Sequence, residues 1–452
     1  MKLAKMLLAV LMVMGFCAVS RLAAADPVES SVTEPEKGAI ILKPLEKLGR
    51  GIANVAFGPL ELPIQMQETK LRHGGIAGLT GQLKMLGALR EALDAYEGEL
   101  QGYKAFYVPC AFSLMKVDLI LVTQDGALAG LVTGPYTGDW VRETETGSFI
   151  STALSLPAPP LGELPGTLTL PKGDGPSPAV VLLPGSGPVD RDGTVGALRP
   201  LRDIAEGLAE AGVASYRFDK RTLAYSAETA ADLSFTLEDE YITDTVSACR
   251  LLAAQEKIDP ERIFVLGHSL GACAVPAAAA SLREAGIGAR GFIMMAASCR
   301  PLDDLMREQI DFLYSLMPDI TPEQQAEKDA LLKDLDRLKD LDSLSEGDMA
   351  AGAYKAYWKY LKGYDILEAA GGITSPVLLL QGEEDYQVTV TDYEIWQEAF
   401  RDKANWRMIS FPGLTHAFTP GKKSEGASAY VREAKVDEKV IQSIADFING
   451  AR

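Results

Sequence analysis

The C-terminal two thirds of this sequence predict an α/β fold with a mostly parallel sheet, and three observations carry that prediction. Short apolar runs alternate with longer amphipathic stretches from about residue 179 onward, the texture of βαβ units stacked on one sheet. One of these runs, Ile263 to Gly267, ends in the small-residue turn Gly267-His268-Ser269-Leu270-Gly271 and opens an Ala-rich helix. The alternation breaks once, between Arg300 and Gly372, where charged helical sequence such as Ala326 to Leu341 shows no strand signal. That break reads as a helical cap, at 300–372, inserted over one end of the sheet.

The elements follow in order. A strand is expected at Ala179 to Leu183, then a helix at Leu201 to Ala211, a strand at Val213 to Phe218 and a helix at Leu237 to Glu256. Strand Ile263 to Gly267, helix Leu270 to Ala285 and strand Gly291 to Ala296 precede the cap. Strand Val377 to Gln381, helix Thr391 to Lys403, strand Trp406 to Phe411 and helix Glu433 to Phe447 follow it. Upstream, residues 26–150 read as a small α+β domain. Leu79, Leu83, Leu86, Leu89, Leu93 and Tyr96 recur at helical spacing, and Phe106-Tyr107-Val108 and Val117 to Val122 look like strands, with Asp125-Gly126 as a turn. Pro157, Pro159, Pro160 and Pro165, with Gly162, mark 151–165 as a linker, and 166–452 as the larger domain.

At 452 residues the chain exceeds what one core usually supports, and 47% hydrophobic with 23% charged residues is globular composition. Disorder, collagen and coiled coil are excluded as overall descriptions. Residues 1–25 read as a secretory signal peptide: Lys2 and Lys5, an apolar run from Met6 to Val19, then Ala23-Ala24-Ala25. The run is short for a helix of about 20 residues across a bilayer. Met14 and Phe16 also fit poorly upstream of a lipidated Cys17. A secreted or periplasmic location is expected, with no stable membrane insertion once the signal is removed. Without Lys2, Lys5 and Arg21 the chain has 41 basic against 62 acidic residues, a net charge of −21 that repels polyanions. No nucleic-acid partner is expected.

Cys110, Cys249, Cys273 and Cys299 are too few for a disulfide scaffold and form no C-x-x-C pair. Whether any two of them bridge is left open by the sequence. No metal-ligand pattern or nucleotide loop appears, because Asp190 stands where Gly185-Ser186-Gly187 would need a third glycine. No metal and no cofactor are expected.

The turn at 267–271 has the strand-turn-helix context of a G-x-S-x-G nucleophile elbow, with Ser269 as the nucleophile. A serine hydroxyl needs a base, and the chain has three histidines. His73 lies before the linker and reads as an ordinary surface or helix-end residue. His268 adjoins Ser269, so its side chain should diverge and pack beside the strand. His416, in Pro412-Gly413-Leu414-Thr415-His416 after the last strand, is left as the base. The acid that orients it should leave the strand before, in Gln381-Gly382-Glu383-Glu384-Asp385, and Asp385 is favoured because the loop needs length to turn back. Oxyanion donors are expected from the N–H of Leu270 and of Ser186, with Gly187 next, in the loop Pro184 to Pro188. In the cap, Tyr354, Tyr357, Trp358 and Leu361 recur at helical spacing. Tyr354 and Trp358 are taken as substrate-binding.

These motifs resemble a known family. The elbow, Leu183-Pro184-Gly185-Ser186-Gly187-Pro188 with Asp190-Arg191-Asp192, Tyr216-Arg217-Phe218-Asp219-Lys220-Arg221, and Leu380 to Val388 are together similar to secreted bacterial α/β-hydrolases of the esterase and dienelactone-hydrolase-like group. The likeness extends to Tyr354 to Tyr364. The unit from about 75 to 135 resembles the small DUF3887-type domain that precedes many of these hydrolases. Ala272 departs from the second glycine of many relatives and should only tighten helix packing. The resemblance implies an α/β-hydrolase fold, a Ser269-Asp385-His416 triad and a carboxylesterase acting on a small-molecule ester. A serine peptidase or amidase of prolyl-oligopeptidase type is the alternative, although the N-terminal unit is too small for its β-propeller. A non-catalytic binding module on the same scaffold is the other.

Overall fold

The structure, a computed structural model, describes residues 144–451 apart from residue 174, together with the backbone of four strands further upstream. Those four are β1 (Tyr96–Leu100), β2 (Tyr103–Ala111), β3 (Lys116–Gln124) and β4 (Ala127–Pro135), paired antiparallel in that order. The two expected strands fall within β2 and β3, and Gln124 pairs with Ala127 across Asp125-Gly126. The signal peptide, His73 and the helix expected before Tyr96 lie outside the described residues, and Tyr96 itself opens β1.

The second compact unit holds the described residues from Thr144 onward. Its sheet has nine strands in the order β17-β16-β13-β12-β10-β11-β9-β6-β5. Six are parallel: β10 (Ser177–Leu183), β11 (Ala214–Phe218), β12 (Ile258–His268), β13 (Gly291–Met295), β16 (Val377–Gly382) and β17 (Trp406–Phe411). Every residue of β11, β13 and β16 is buried, as expected of parallel strands covered by helices on both faces. Helices α1 (Pro200–Glu210), α2 (Thr243–Ala253), α3 (Leu270–Glu284), α8 (Val390–Phe400) and α9 (Glu438–Gly450) provide that cover. Pro200 starts α1 where a missing N–H costs nothing, and Asp437 caps α9 by accepting from the Lys439 N–H. Leu201, Ile204 and Leu208 of α1 join Val440, Ile444 and Ile448 of α9 in one core with Val180, Leu266 and Leu378 of the sheet.

The expected linker at 151–165 is not one. Residues 149–153 form β6, which with β5 (Thr144–Glu145) and β9 (Gly166–Pro171) adds three antiparallel strands to the sheet edge. Between them β7 (Leu156–Ala158) and β8 (Gly162–Leu164) form a hairpin whose Leu156, Ala158 and Leu164 are buried. Prolines are tolerated there because a short hairpin beside the main ladder needs few backbone donors.

The insert over 300–372 is helical as expected, with α4 (Leu302–Ser315), α5 (Pro322–Asp336), α6 (Lys355–Gly363) and α7 (Ile366–Gly371). It also holds one small hairpin without a strand signal in the sequence, β14 (Met349–Ala350) and β15 (Ala353–Tyr354). The helix expected at Leu237 opens instead with a wide π-turn over Glu238–Ile242 before α2.

Candidate active site

Ser269 stands between the end of β12 and the start of α3 with φ 56° and ψ −123°. That backbone is costly for any residue with a side chain and is held by its surroundings. The Ser269 N–H donates to the Met295 carbonyl at 2.9 Å, which ties the turn to β13. A Cβ on Gly267 would sit 2.2 Å from the Gly271 oxygen, and one on Gly271 would sit 2.4 Å from the Pro184 oxygen. Backbone therefore crowds both glycines of the motif, and the serine is the residue left facing open space. It lines two cavities.

His416 is buried on the loop after β17, and its Nδ1–H donates to Asp385 Oδ2 at 2.6 Å. Asp385 Oδ1 accepts the N–H groups of Gln387 and Val388 at 2.7 and 3.0 Å, so the carboxylate is fixed on both oxygens. With Nδ1 committed as donor, Nε2 of His416 carries the free lone pair. Of the competing acids, Glu383 is exposed and accepts from Ser410, and Glu384 accepts the Lys423 N–H.

His268 does more than pack beside its strand. Its Nε2–H donates to the His416 backbone oxygen at 2.8 Å, and the two rings lie 4.7 Å apart. Burial, reinforced by His416, pushes the His268 pKa down to about 3, which leaves a neutral imidazole pinning the loop that carries His416.

The loop Pro184 to Pro188 runs beside Ser269. A Cβ on Gly185 would meet Ser269 Cβ at 3.2 Å, and Ser186 lines both cavities with Ser269. Among the described residues, no backbone acceptor pairs with the N–H of Ser186 or of Leu270. Leu270 is the first residue of α3, so its N–H belongs to the positive end of that helix.

The first cavity, about 230 Å³, lies between that loop, Thr194, His416 and Tyr430. The second, about 60 Å³, is roofed by the cap through Leu305, Met306, Tyr357 and Trp358 and floored by Leu270 and Cys273. Trp358, expected at the substrate, lines this cavity, with its Nε1–H donating to the Ala350 oxygen at 2.7 Å. Tyr354, expected there too, lines neither cavity: it closes β15 ahead of α6, and its hydroxyl donates to the Ala230 oxygen. Tyr357 lines the cavity beside Trp358.

The charged motifs left without a role in the sequence interlock. Arg191 pairs with Asp219 at 2.9 Å, Arg217 with Asp192 at 2.8 Å, Arg221 with Asp244 at 2.6 Å, and Lys220 with Glu240. Lys220 Nζ also donates to the Gly185 oxygen at 3.0 Å and to the Tyr241 hydroxyl at 2.7 Å. Burial pulls the Lys220 pKa below its usual value against the pull of Glu240, and it drives the Tyr241 and Tyr357 phenols well above theirs. Cys249, Cys273 and Cys299 are free thiols, the first two pushed up to about 12 by burial, and the Cys110 side chain lies outside the described residues. Among the described residues, no group of His, Cys, Asp and Glu could hold a metal ion, and no helix is long and apolar enough to cross a membrane.

The chain resembles a known protein family and several known proteins. The family described as serine aminopeptidase, S33 matches residues 193–420, half of the chain. Esterase EstD of Thermotoga maritima is 36% identical over 282 residues, covering 62% of this chain and 64% of that protein, so the chain spans less than two thirds of its length. Among solved structures, Est1E from Butyrivibrio proteoclasticus matches at 17% identity and a TM-score of 0.42, over 66% of this chain and 98% of that one. A puromycin-hydrolyzing peptidase of Mycobacterium tuberculosis matches at 16% identity and 0.42, over 77% and 46%.

Proposed function

We propose, on the premise that this chain belongs to the family described as serine aminopeptidase, S33, that it is an exported carboxylesterase working through an acyl-enzyme. The observation that carries the reading is a strained Ser269 facing the same cavity as a His416 whose other nitrogen is anchored on Asp385. In this mechanism Ser269 Oγ attacks the ester carbonyl and its proton passes to His416 Nε2. Leu270 and Ser186 N–H groups hold the oxyanion. His416 returns the proton to the departing alcohol, and water then releases the acid by the same steps. Thirty-six per cent identity to an esterase favours an ester over an amide.

The two cavities divide the substrate. The small one under the cap suits a short acyl group, and the larger one beside the glycine loop suits the alcohol. The basic, apolar and small-residue pattern of 1–25 supports export, and the likeness of 75–135 to a DUF3887-type domain stands as a proposal beside it. The test is a p-nitrophenyl ester series run beside dipeptide amides, with Ser269→Ala as control. Turnover of acetate and butyrate, lost by several orders of magnitude in the variant, is expected. Faster turnover of amides than esters would move the assignment to a peptidase, and activity of Ser269→Ala within about tenfold of the natural enzyme would end it.

A further inference from the structure

We infer that Lys220 is a positioning residue of the oxyanion hole: it and Tyr241 hold the Gly185–Ser186 peptide so that the Ser186 N–H faces the reacting oxygen. The inference rests on the esterase reading and deepens it.

Lys220 follows the edge of β11 and is 1% exposed, as is Glu240. An ion pair taken so completely out of water is costly unless each donor and acceptor is satisfied. Here each is. The Lys220 ammonium has three acceptors: Glu240 Oε1, the Tyr241 hydroxyl and the Gly185 oxygen. The Tyr241 proton is itself committed to the Gly185 oxygen at 2.6 Å. All three partners of the nitrogen therefore require a donor, which an ammonium supplies and a neutral amine with two N–H groups does not. The other carboxylate oxygen of Glu240 accepts from the Tyr357 hydroxyl at 2.5 Å.

Both donors to the Gly185 carbonyl thus come from behind the loop, one of them charged. The Gly185–Ser186 peptide is trans, so its N–H points opposite to its C=O. With the carbonyl pulled into the protein, the Ser186 N–H is turned out toward the cavities it lines with Ser269. A cation on the oxygen of an amide also draws charge from its nitrogen and strengthens that N–H as a donor. The π-turn Glu238–Ile242 has a part in this, because it carries the consecutive residues Glu240 and Tyr241 into the same buried spot.

The test uses two variants of the full-length enzyme. Lys220→Met with Glu240→Gln removes both buried charges and leaves an amide for Tyr357, whereas Tyr241→Phe deletes one donor with little change of shape. Three readouts are taken: kcat and KM on p-nitrophenyl acetate, the rate at which diethyl p-nitrophenyl phosphate modifies Ser269, and the melting temperature. Deleting one oxyanion donor outright costs about 10²–10³ in kcat. A misaimed donor should cost at least tenfold in the double variant, and about threefold or more in Tyr241→Phe. KM should stay within about threefold, and phosphorylation should slow in parallel with kcat. A folded double variant with kcat within threefold of the natural enzyme overturns the inference, as does a loss borne by KM. If the double variant does not fold, unchanged kcat in Tyr241→Phe overturns it. Absence of label on Ser269 in the natural enzyme would overturn the esterase reading and this inference together, whereas normal labelling with unaffected variants would overturn this inference alone.

Discussion

Truncating Trp358 should lengthen the acyl chain that the enzyme prefers. The indole is 2% exposed and lines, with Ser269, the cavity of about 60 Å³ under the cap. That space is well below the roughly 150 Å³ that holds a benzene ring, so it fits an acyl group of a few carbons. Trp358→Ala opens on the order of 100 Å³ more, enough for about four further methylenes at ordinary packing. Each buried methylene is worth about 0.8 kcal/mol, so four should shift the ratio of kcat/KM for octanoate over butyrate by about 3 kcal/mol, more than a hundredfold. The same truncation removes a buried side chain and leaves the Ala350 carbonyl without its donor. A stability loss of about 3–5 kcal/mol should accompany it. Met306→Ala separates the two effects, because it widens the same cavity without touching that hydrogen bond. The assay is a p-nitrophenyl ester series from acetate to decanoate at a temperature well below both melting points. Equal losses at every chain length in both variants would show that these side chains support the cap and do not meet the acyl group.

Two further predictions concern pH. His268→Gln keeps a donor near the Nε2 position and should retain most activity, whereas His268→Leu should lose tenfold or more in kcat by freeing the loop of the base. Since the His268 pKa is held at about 3 in the folded protein against about 6.5 when unfolded, the unfolded chain binds the extra proton between those values, and stability falls with acidification there. Denaturant titration at pH 4 should therefore find His268→Gln more resistant than the natural protein, and an advantage at pH 8 only would contradict this. Asp203 has the opposite sign. Burial raises its pKa to about 6, so the folded state binds the extra proton between about 4 and 6 and loses stability as pH rises through that window. Asp203→Asn, which can still accept the Val436 N–H, should gain about 1–2 kcal/mol at pH 7 and little at pH 4. Equal effects at both pH values would refute the linkage.

What could be read in advance was what local geometry constrains. A strand ending in a turn that excludes Cβ atoms on both sides of one serine is a short-range requirement, and Gly267 and Gly271 announce it. His416 and Asp385 pair because parallel strands deliver their loops to one edge of the sheet, a rule the order of elements already implies. The proline tract misled because prolines report where a donor is missing, and the β7–β8 hairpin has little need of those donors. Tyr354 misled for a related reason. Its spacing to Tyr357 and Trp358 is helical, yet α6 begins only at Lys355, so Tyr354 leaves through a strand and turns to Ala230.

The buried polar cluster was illegible for a deeper reason. In the sequence Lys220 and Arg221 stand only as the end of a motif after a strand, and Glu240 only as one residue of the helix expected at Leu237 to Glu256. The contact between them joins residues 20 apart, and Tyr357 reaches Glu240 from 117 residues away. No pattern within a window of sequence encodes either pairing. Burial is what turns the charges into information, since an ion pair at the surface is worth little while one at 1% exposure must be satisfied atom by atom. The atoms that satisfy it include the carbonyl of the loop beside Ser269 and a tyrosine that lines the cavity under the cap. A change of shape under the cap therefore has a physical route, Tyr357 to Glu240 to Lys220 to Gly185, by which it can reach the peptide aimed at the reacting oxygen.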